Sequence, residues 1–272
     1  MCAIERDEAG TPRDFESQID PALAISGLCF AYSDGTRALS DIDLEVMAGE
    51  RLGVIGPNGA GKTTLFLIIC GILEKSSGTI TVLGKSPAKR HFRPDIGLVF
   101  QNPDDQLFCP SVRDDVAFGL RNMGLPKDEV EARATQALST VGCLELAGRP
   151  VHHLSEGEKR MVSIAGVLAM EPQLVIYDEP SANLDIRSRR RLIRLLQASN
   201  ETMLIAAHDL ELILEVCGRV ILIDNGRVVA DGTPREIMGN DELMEAHGQE
   251  KPHSLVPHAK PHTDTHRSAE AP

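Results

Sequence analysis

The strongest chemical signal in the chain is the run Gly56-Pro57-Asn58-Gly59-Ala60-Gly61-Lys62-Thr63. Four residues separate the first glycine from Gly-Lys-Thr, which is the spacing of a phosphate-binding loop. Glycines let the backbone curl until successive N–H groups face inward, where phosphate oxygens accept from them. A helix opening near Lys62 adds the positive end of its dipole. Lys62 is expected to reach the β- and γ-phosphates, and the Thr63 hydroxyl to bind Mg²⁺. Thr64, next along the helix, completes the candidate nucleotide-binding set.

A second signal is Leu174-Val175-Ile176-Tyr177-Asp178-Glu179. An apolar strand ending in two acids sets both carboxylates at the carboxyl edge of a sheet, beside the loop. Asp178 is expected in the Mg²⁺ shell. Glu179 is expected to orient or deprotonate an attacking water. Together the two motifs define a nucleoside-triphosphate enzyme.

The elements that must position these groups can be read from periodicity. Residues 22–30, 42–46, 51–55, 79–83, 96–100, 174–177, 203–206 and 220–223 read as strands. Residues 62–73, 111–147, 156–170, 186–197 and 210–217 read as helical. Strands alternating with helices imply a parallel sheet covered on both faces. Ligands of such sheets bind beyond the carboxyl ends of the strands.

Composition narrows the partners. The 272 residues hold 28 Lys+Arg and 40 Asp+Glu, a net charge of −12. That balance opposes a sequence-independent nucleic-acid binder, which needs a basic field. Arg187, Arg189, Arg190, Arg191 and Arg194 form a basic run, but Ile186, Leu192, Ile193, Leu195 and Leu196 give the same helix a core face. The arginines are therefore expected on its solvated side, and no nucleic-acid partner is expected. The six cysteines include no CxxC pair and read as reduced and buried. No stretch approaches the ~20 apolar residues of a membrane helix, so any spanning part must come from other chains. Residues 1–20 read as a disordered acidic leader, 21–246 as the folded body and 247–272 as a disordered tail. The tail carries His247, His253, His258, His262 and His266. Their spacing defines no single site, so it reads either as a loose metal chelator or as a solubilising segment.

Further motifs carry a family resemblance. Leu154-Ser155-Glu156-Gly157-Glu158-Lys159-Arg160 resembles the signature peptide of the ABC ATPases. Ser181-Ala182-Asn183-Leu184-Asp185 resembles their D-loop, His208 their switch histidine and Gln101 their Q-loop glutamine. Tyr32 stands where the family stacks an aromatic ring on adenine. The resemblance covers essentially the whole body. It implies an α/β fold: a P-loop NTPase (RecA-like) core, an N-terminal antiparallel β subdomain, and a helical signature subdomain over about 104–170. It implies ATP and Mg²⁺ as cofactors, with Glu179, His208 and Gln101 catalytic and Thr63, Gln101 and Asp178 around the metal. It also implies a second ABC ATPase subunit, identical by default. Ser155, Gly157 and Glu158 would face the ATP held by that subunit, and His208 would contact both the γ-phosphate and the D-loop of Asp185. One departure is Glu156, which replaces a glycine and is expected to point away from nucleotide.

The stretch Val99-Phe100-Gln101-Asn102-Pro103-Asp104-Asp105-Gln106-Leu107-Phe108 resembles the ATPases of energy-coupling-factor importers. That implies a transmembrane coupling protein docked near residues 101–108, a membrane substrate-capture protein, and a peripheral place on the cytoplasmic face of the cell membrane. The expected cargo is cobalt or nickel. The alternatives are a vitamin importer of the same type and, more distantly, a soluble non-transport ABC ATPase.

Overall fold

The computed structural model describes residues 20–87 and 91–256. The expected leader, apart from Asp20, and positions 257–272 of the expected tail lie outside the described residues. In chain order the strands and helices are β1 Leu23–Ala31, β2 Arg37–Val46, β3 Arg51–Ile55, α1 Lys62–Ile69, β4 Ser77–Val82, β5 Ile96–Val99, α2 Val112–Asn122, α3 Lys127–Thr140 and α4 Glu156–Leu168. They continue as β6 Leu174–Asp178, α5 Ile186–Ala198, β7 Thr202–Ala206, α6 Leu210–Val216, β8 Arg219–Asp224, β9 Arg227–Gly232, α7 Pro234–Gly239 and α8 Asp241–Ala246.

Two sheets result. The smaller is antiparallel with order β2-β1-β4. The larger has order β5-β6-β7-β3-β8-β9 and is parallel except at its β8–β9 edge. Every residue of β6 and β7 is buried, as a strand covered on both faces requires. Alternate β6 residues enter different cores: Leu174 and Ile176 join the apolar cluster of the small sheet and α1, while Val175 and Tyr177 join that of the helical region. β2 shows the other pattern, with Ile42, Leu44 and Val46 buried between exposed neighbours. This is the architecture that the ABC resemblance implies.

Some boundaries move for physical reasons. The helix expected over 62–73 stops at Ile69, because Gly71 turns left-handed (φ 70°). The N–H groups of Ile72 and Leu73 then double back to the Leu67 carbonyl at 2.8 and 3.1 Å. The helical stretch expected over 111–147 divides into α2 and α3 at Gly124 (φ 75°) and Pro126. The sheet is not wholly parallel. Asn225 and Gly226, with φ 47° and 71°, form a tight hairpin that folds β9 antiparallel onto β8.

The tail does not begin at His247. Residues 247–256 pack back onto the body, with His247 Nδ1 2.8 Å from Asp224 Oδ2 and Pro252 buried. Ser254 donates its N–H and hydroxyl to the Glu211 carboxylate at 2.9 and 2.6 Å. A polar segment orders here because a carboxylate on α6 satisfies its turn. His258, His262 and His266 lie outside the described residues.

Candidate active site

A cleft of about 370 Å³ opens over the carboxyl ends of the central strands. It is lined by Tyr32, Asn58, Gly59, Ala60, Gly61, Lys62, Thr63, Thr64, Gln101, Asp178, Glu179 and His208. The sequence-derived nucleotide set, except Gly56 and Pro57, thus lines one cleft, brought together from elements far apart in the chain. Thr36, Arg37 and Ala38 also line it. Sequence reasoning misses them, since they lie where β2 starts and carry no motif spacing.

The loop after β3 holds its shape through close backbone approaches. Gly56 has φ 145°, and a Cβ there would sit 1.9 Å from the Ile223 carbonyl oxygen. Gly61 has φ 105°, and its Cβ would meet the Ala38 carbonyl oxygen at 2.6 Å. Gly56→Ala is therefore expected to cost about 3 kcal/mol of folding stability through overpacking and strain. Urea denaturation measures this; an unchanged midpoint would show that β8 does not press on the loop.

Lys62 is buried, and its Nζ donates to the loop carbonyls of Gly56 (2.7 Å) and Pro57 (3.0 Å). Burial lowers its pKa, while the nearby charges of Glu179 and Asp178 push it back up. Thr63 donates its hydroxyl to Asp178 Oδ2 at 2.7 Å, joining α1 to the end of β6. Burial pushes the Asp178 carboxyl above its ordinary range, against the opposing Thr63 hydrogen bond. The Tyr32 hydroxyl lies 2.8 Å from Thr64 Oγ1, and its ring is held edge-on by Phe30.

Glu179 adopts φ 50°, a left-handed conformation that side chains other than glycine seldom take. Its N–H still donates to the Ala206 carbonyl at 2.9 Å, so the turn begins only after the ladder ends. Its Oε2 accepts from the His208 N–H at 2.9 Å. Its Oε1 is buried, with no hydrogen-bond partner among the described residues, 3.5 Å from His208 Nε2. That imidazole nitrogen is 2.9 Å from Asn58 Oδ1, so the histidine bridges the loop and the end of β6.

Gln101 is exposed just beyond β5. Its backbone carbonyl and that of Phe100 both accept from the buried Arg160 guanidinium of α4. Arg160 thereby ties the cleft's edge to the signature helix, a link that no local pattern advertises. Ser155, Gly157, Glu158 and Asp185 are not among the residues lining the cleft. Ser155 caps α4 in a capping box: its N–H and hydroxyl both donate to Glu158 Oε2 at 2.8 Å. A Cβ on Gly157 would come within 2.8 Å of Ser188 Oγ, and the Asp185 carboxylate caps α5 through the Ser188 N–H at 2.8 Å. Glu156 pairs with Lys159 at 3.4 Å, which in turn holds Asp104 at 2.8 Å.

A second surface lies beside the first. Phe92, Phe108 and Phe118 are 53%, 64% and 42% exposed and rim an apolar groove with Leu107 and Met170. Phe108 and Phe118 meet edge to face at 4.9 Å.

Such a fold and cleft belong to a known class. Residues 39–182 match the ABC transporter family profile, and the chain belongs to that family of ATP-binding proteins. It is 46% identical over 230 residues to the energy-coupling factor transporter ATP-binding protein EcfA of Methanothermobacter thermautotrophicus, covering 82% of this chain and 74% of that protein. It is 44% identical to EcfA of Methanocaldococcus jannaschii, covering 80% and 81%. Among solved structures it is similar to cbiO1 from Clostridium perfringens, part of the ABC transporter complex cbiONQ. That match has a TM-score of 0.73 and 40% identity, over 84% of this chain and 94% of that one. The chain is thus an ABC ATPase of the energy-coupling-factor type. No helix among the described residues is long and apolar enough to cross a membrane.

Proposed function

We propose that this chain powers a prokaryotic importer by closing on a second, identical copy around two ATP molecules. The observation that carries the hydrolytic part is the buried, unpartnered Oε1 of Glu179 at the cleft wall. It offers an acceptor where an attacking water must lose its proton. In this reading the residue 56–64 loop holds the phosphates, with Lys62 on the β- and γ-oxygens, and Tyr32 packs on the base. Glu179 takes the proton and His208 holds the γ-phosphate, so that catalysis comes from positioning and electrostatics.

The site's oxygen donors fit Mg²⁺. Thr63 and Asp178 meet at 2.7 Å and Gln101 lines the same cleft, and Mg²⁺ is usually held by one or two carboxylates plus phosphates and waters. Bound there, the ion would neutralise charge on the β- and γ-phosphates. Among the described residues there is no cluster of His, Cys, Asp and Glu suited to a resident metal.

The absence of Ser155, Gly157 and Glu158 from the cleft lining supports a site completed by the other copy, with Asp185 at the junction. Closure then follows from contacts that the γ-phosphate gains only in the closed state. The phenylalanine-rimmed groove is the proposed seat of a transmembrane coupling protein, because an exposed apolar patch of this kind marks a protein contact. A membrane substrate-capture protein completes the assembly, and the chain sits peripherally on the cytoplasmic face. The proposed cargo is cobalt or nickel.

Co-expression with membrane proteins encoded beside it, followed by detergent extraction, tests this. The chain is expected to co-purify with them and to lose that association on Phe108→Asp. A chain that stays alone in the soluble fraction would rule out the transport reading.

A further inference from the structure

Helix α5 starts at the D-loop aspartate and carries the arginine run, yet one of those arginines is turned mostly into the fold. Arg189 stands on the first turn, where its N–H donates to the Asp185 carbonyl at 2.8 Å. Its guanidinium crosses to the start of α6 and grips Asp209 at two points, Nε on Oδ2 and Nη2 on Oδ1, the latter at 2.9 Å. The two side chains are only 22% and 23% exposed. A two-point fork between opposite charges is the strong form of this interaction. Burial alone would raise the Asp209 carboxyl, but the Arg189 fork and the Leu212 N–H bring it below its ordinary value.

Asp209 directly follows His208. Its Oδ1 also caps α6 by accepting the Leu212 N–H at 3.1 Å. His208 itself is pinned on the other side, by Glu179 Oε2 at its N–H and by Asn58 Oδ1 at its ring. The first turn of α5, the cap of α6 and the histidine therefore form one continuous set of contacts. A neighbouring pair, Arg190 with Glu215 at 2.9 Å, also ties α5 to α6; Glu215 lies 3.8 Å from Arg189 Nη1 as well, but Arg190 itself has no contact with Asp209.

We propose that Arg189 is a positioning residue for ATP hydrolysis: gripping Asp209, it fixes His208 and passes displacement of the D-loop at Asp185 on to that histidine. Contiguity alone does not establish coupling, so the test must separate transmission from mere helix packing. This inference rests on His208 acting in hydrolysis, as proposed above.

The experiment is steady-state ATP hydrolysis by the full-length chain, with folding checked by thermal melting. Arg189→Ala is expected to lower kcat roughly tenfold while the KM for ATP moves less than twofold, because Arg189 does not line the cleft. Arg189→Lys is expected to recover only part of the rate, since an ammonium cannot reproduce the fork. Asp209→Asn should match Arg189→Ala, and the double variant should be no slower than either alone. Arg190→Ala, which removes an ion pair between the same two helices but leaves the Asp209 fork in place, should keep the wild-type kcat. Wild-type kcat in a folded Arg189→Ala chain, additive losses in the double variant, or an equal loss in Arg190→Ala would overturn the proposal. Full activity in His208→Ala would instead remove the reading beneath it.

Discussion

Replacing Glu179 by Gln is expected to slow ATP turnover by roughly two to four orders of magnitude, the usual worth of a general base, and to leave ATP binding intact. The substitution is nearly isosteric. A glutamine oxygen can still accept the His208 N–H, now held at 2.9 Å by Oε2. The left-handed backbone at φ 50° is asked of the same side-chain shape. What disappears is the basicity of the unpartnered Oε1. Phosphate release measures the rate, and size-exclusion chromatography with ATP measures the trapped dimer. A variant that turns over normally would remove Glu179 from the chemistry. One that is slow but stays monomeric would argue against the two-copy sandwich.

Lys62→Ala is expected to raise the Kd for ATP about a hundredfold. Removing one partner of a buried, hydrogen-bonded charge pair costs about 3 kcal/mol, and each 1.4 kcal/mol is tenfold. Lys62 is already desolvated and aimed along the loop, with Nζ on the Gly56 and Pro57 carbonyls. Phosphate oxygens would replace those carbonyls with full negative charge. Titration of the variant with a fluorescent ATP analogue checks this, and an affinity within threefold of the parent would show that the backbone N–H groups suffice.

The candidate site is legible in the sequence because it is written in short runs. Gly56 to Thr63 and Leu174 to Glu179 each sit within one strand–loop–helix unit, so local spacing points to them. What joins those units is not legible there. His208 meets Asn58 across 150 positions and Arg160 meets Gln101 across 59, and no local period encodes such pairs. The arginines after Asp185 show the limit well. Apolar periodicity gives that helix a core face, and Leu192, Ile193 and Leu196 are buried, but Ile186, expected on the same face, is 81% exposed because it stands on the first turn beyond the reach of the core. The same periodicity could not tell that Arg189, expected in solvent, would find Asp209. Some signals were present but unused. Thr233-Pro234-Arg235-Glu236 is a capping box with proline in the first turn, and it starts α7.

The capping box at Ser155 has a consequence for how the molecule behaves between encounters. While a copy is alone, Glu158 acts as a stopper, its carboxylate occupying the hydroxyl and N–H of Ser155. In the two-copy closure proposed above, an anion presented by the second cassette would have to displace that carboxylate to reach the Ser155 hydroxyl. The same glutamate that steadies the idle helix would then set a threshold that only an incoming charge can cross.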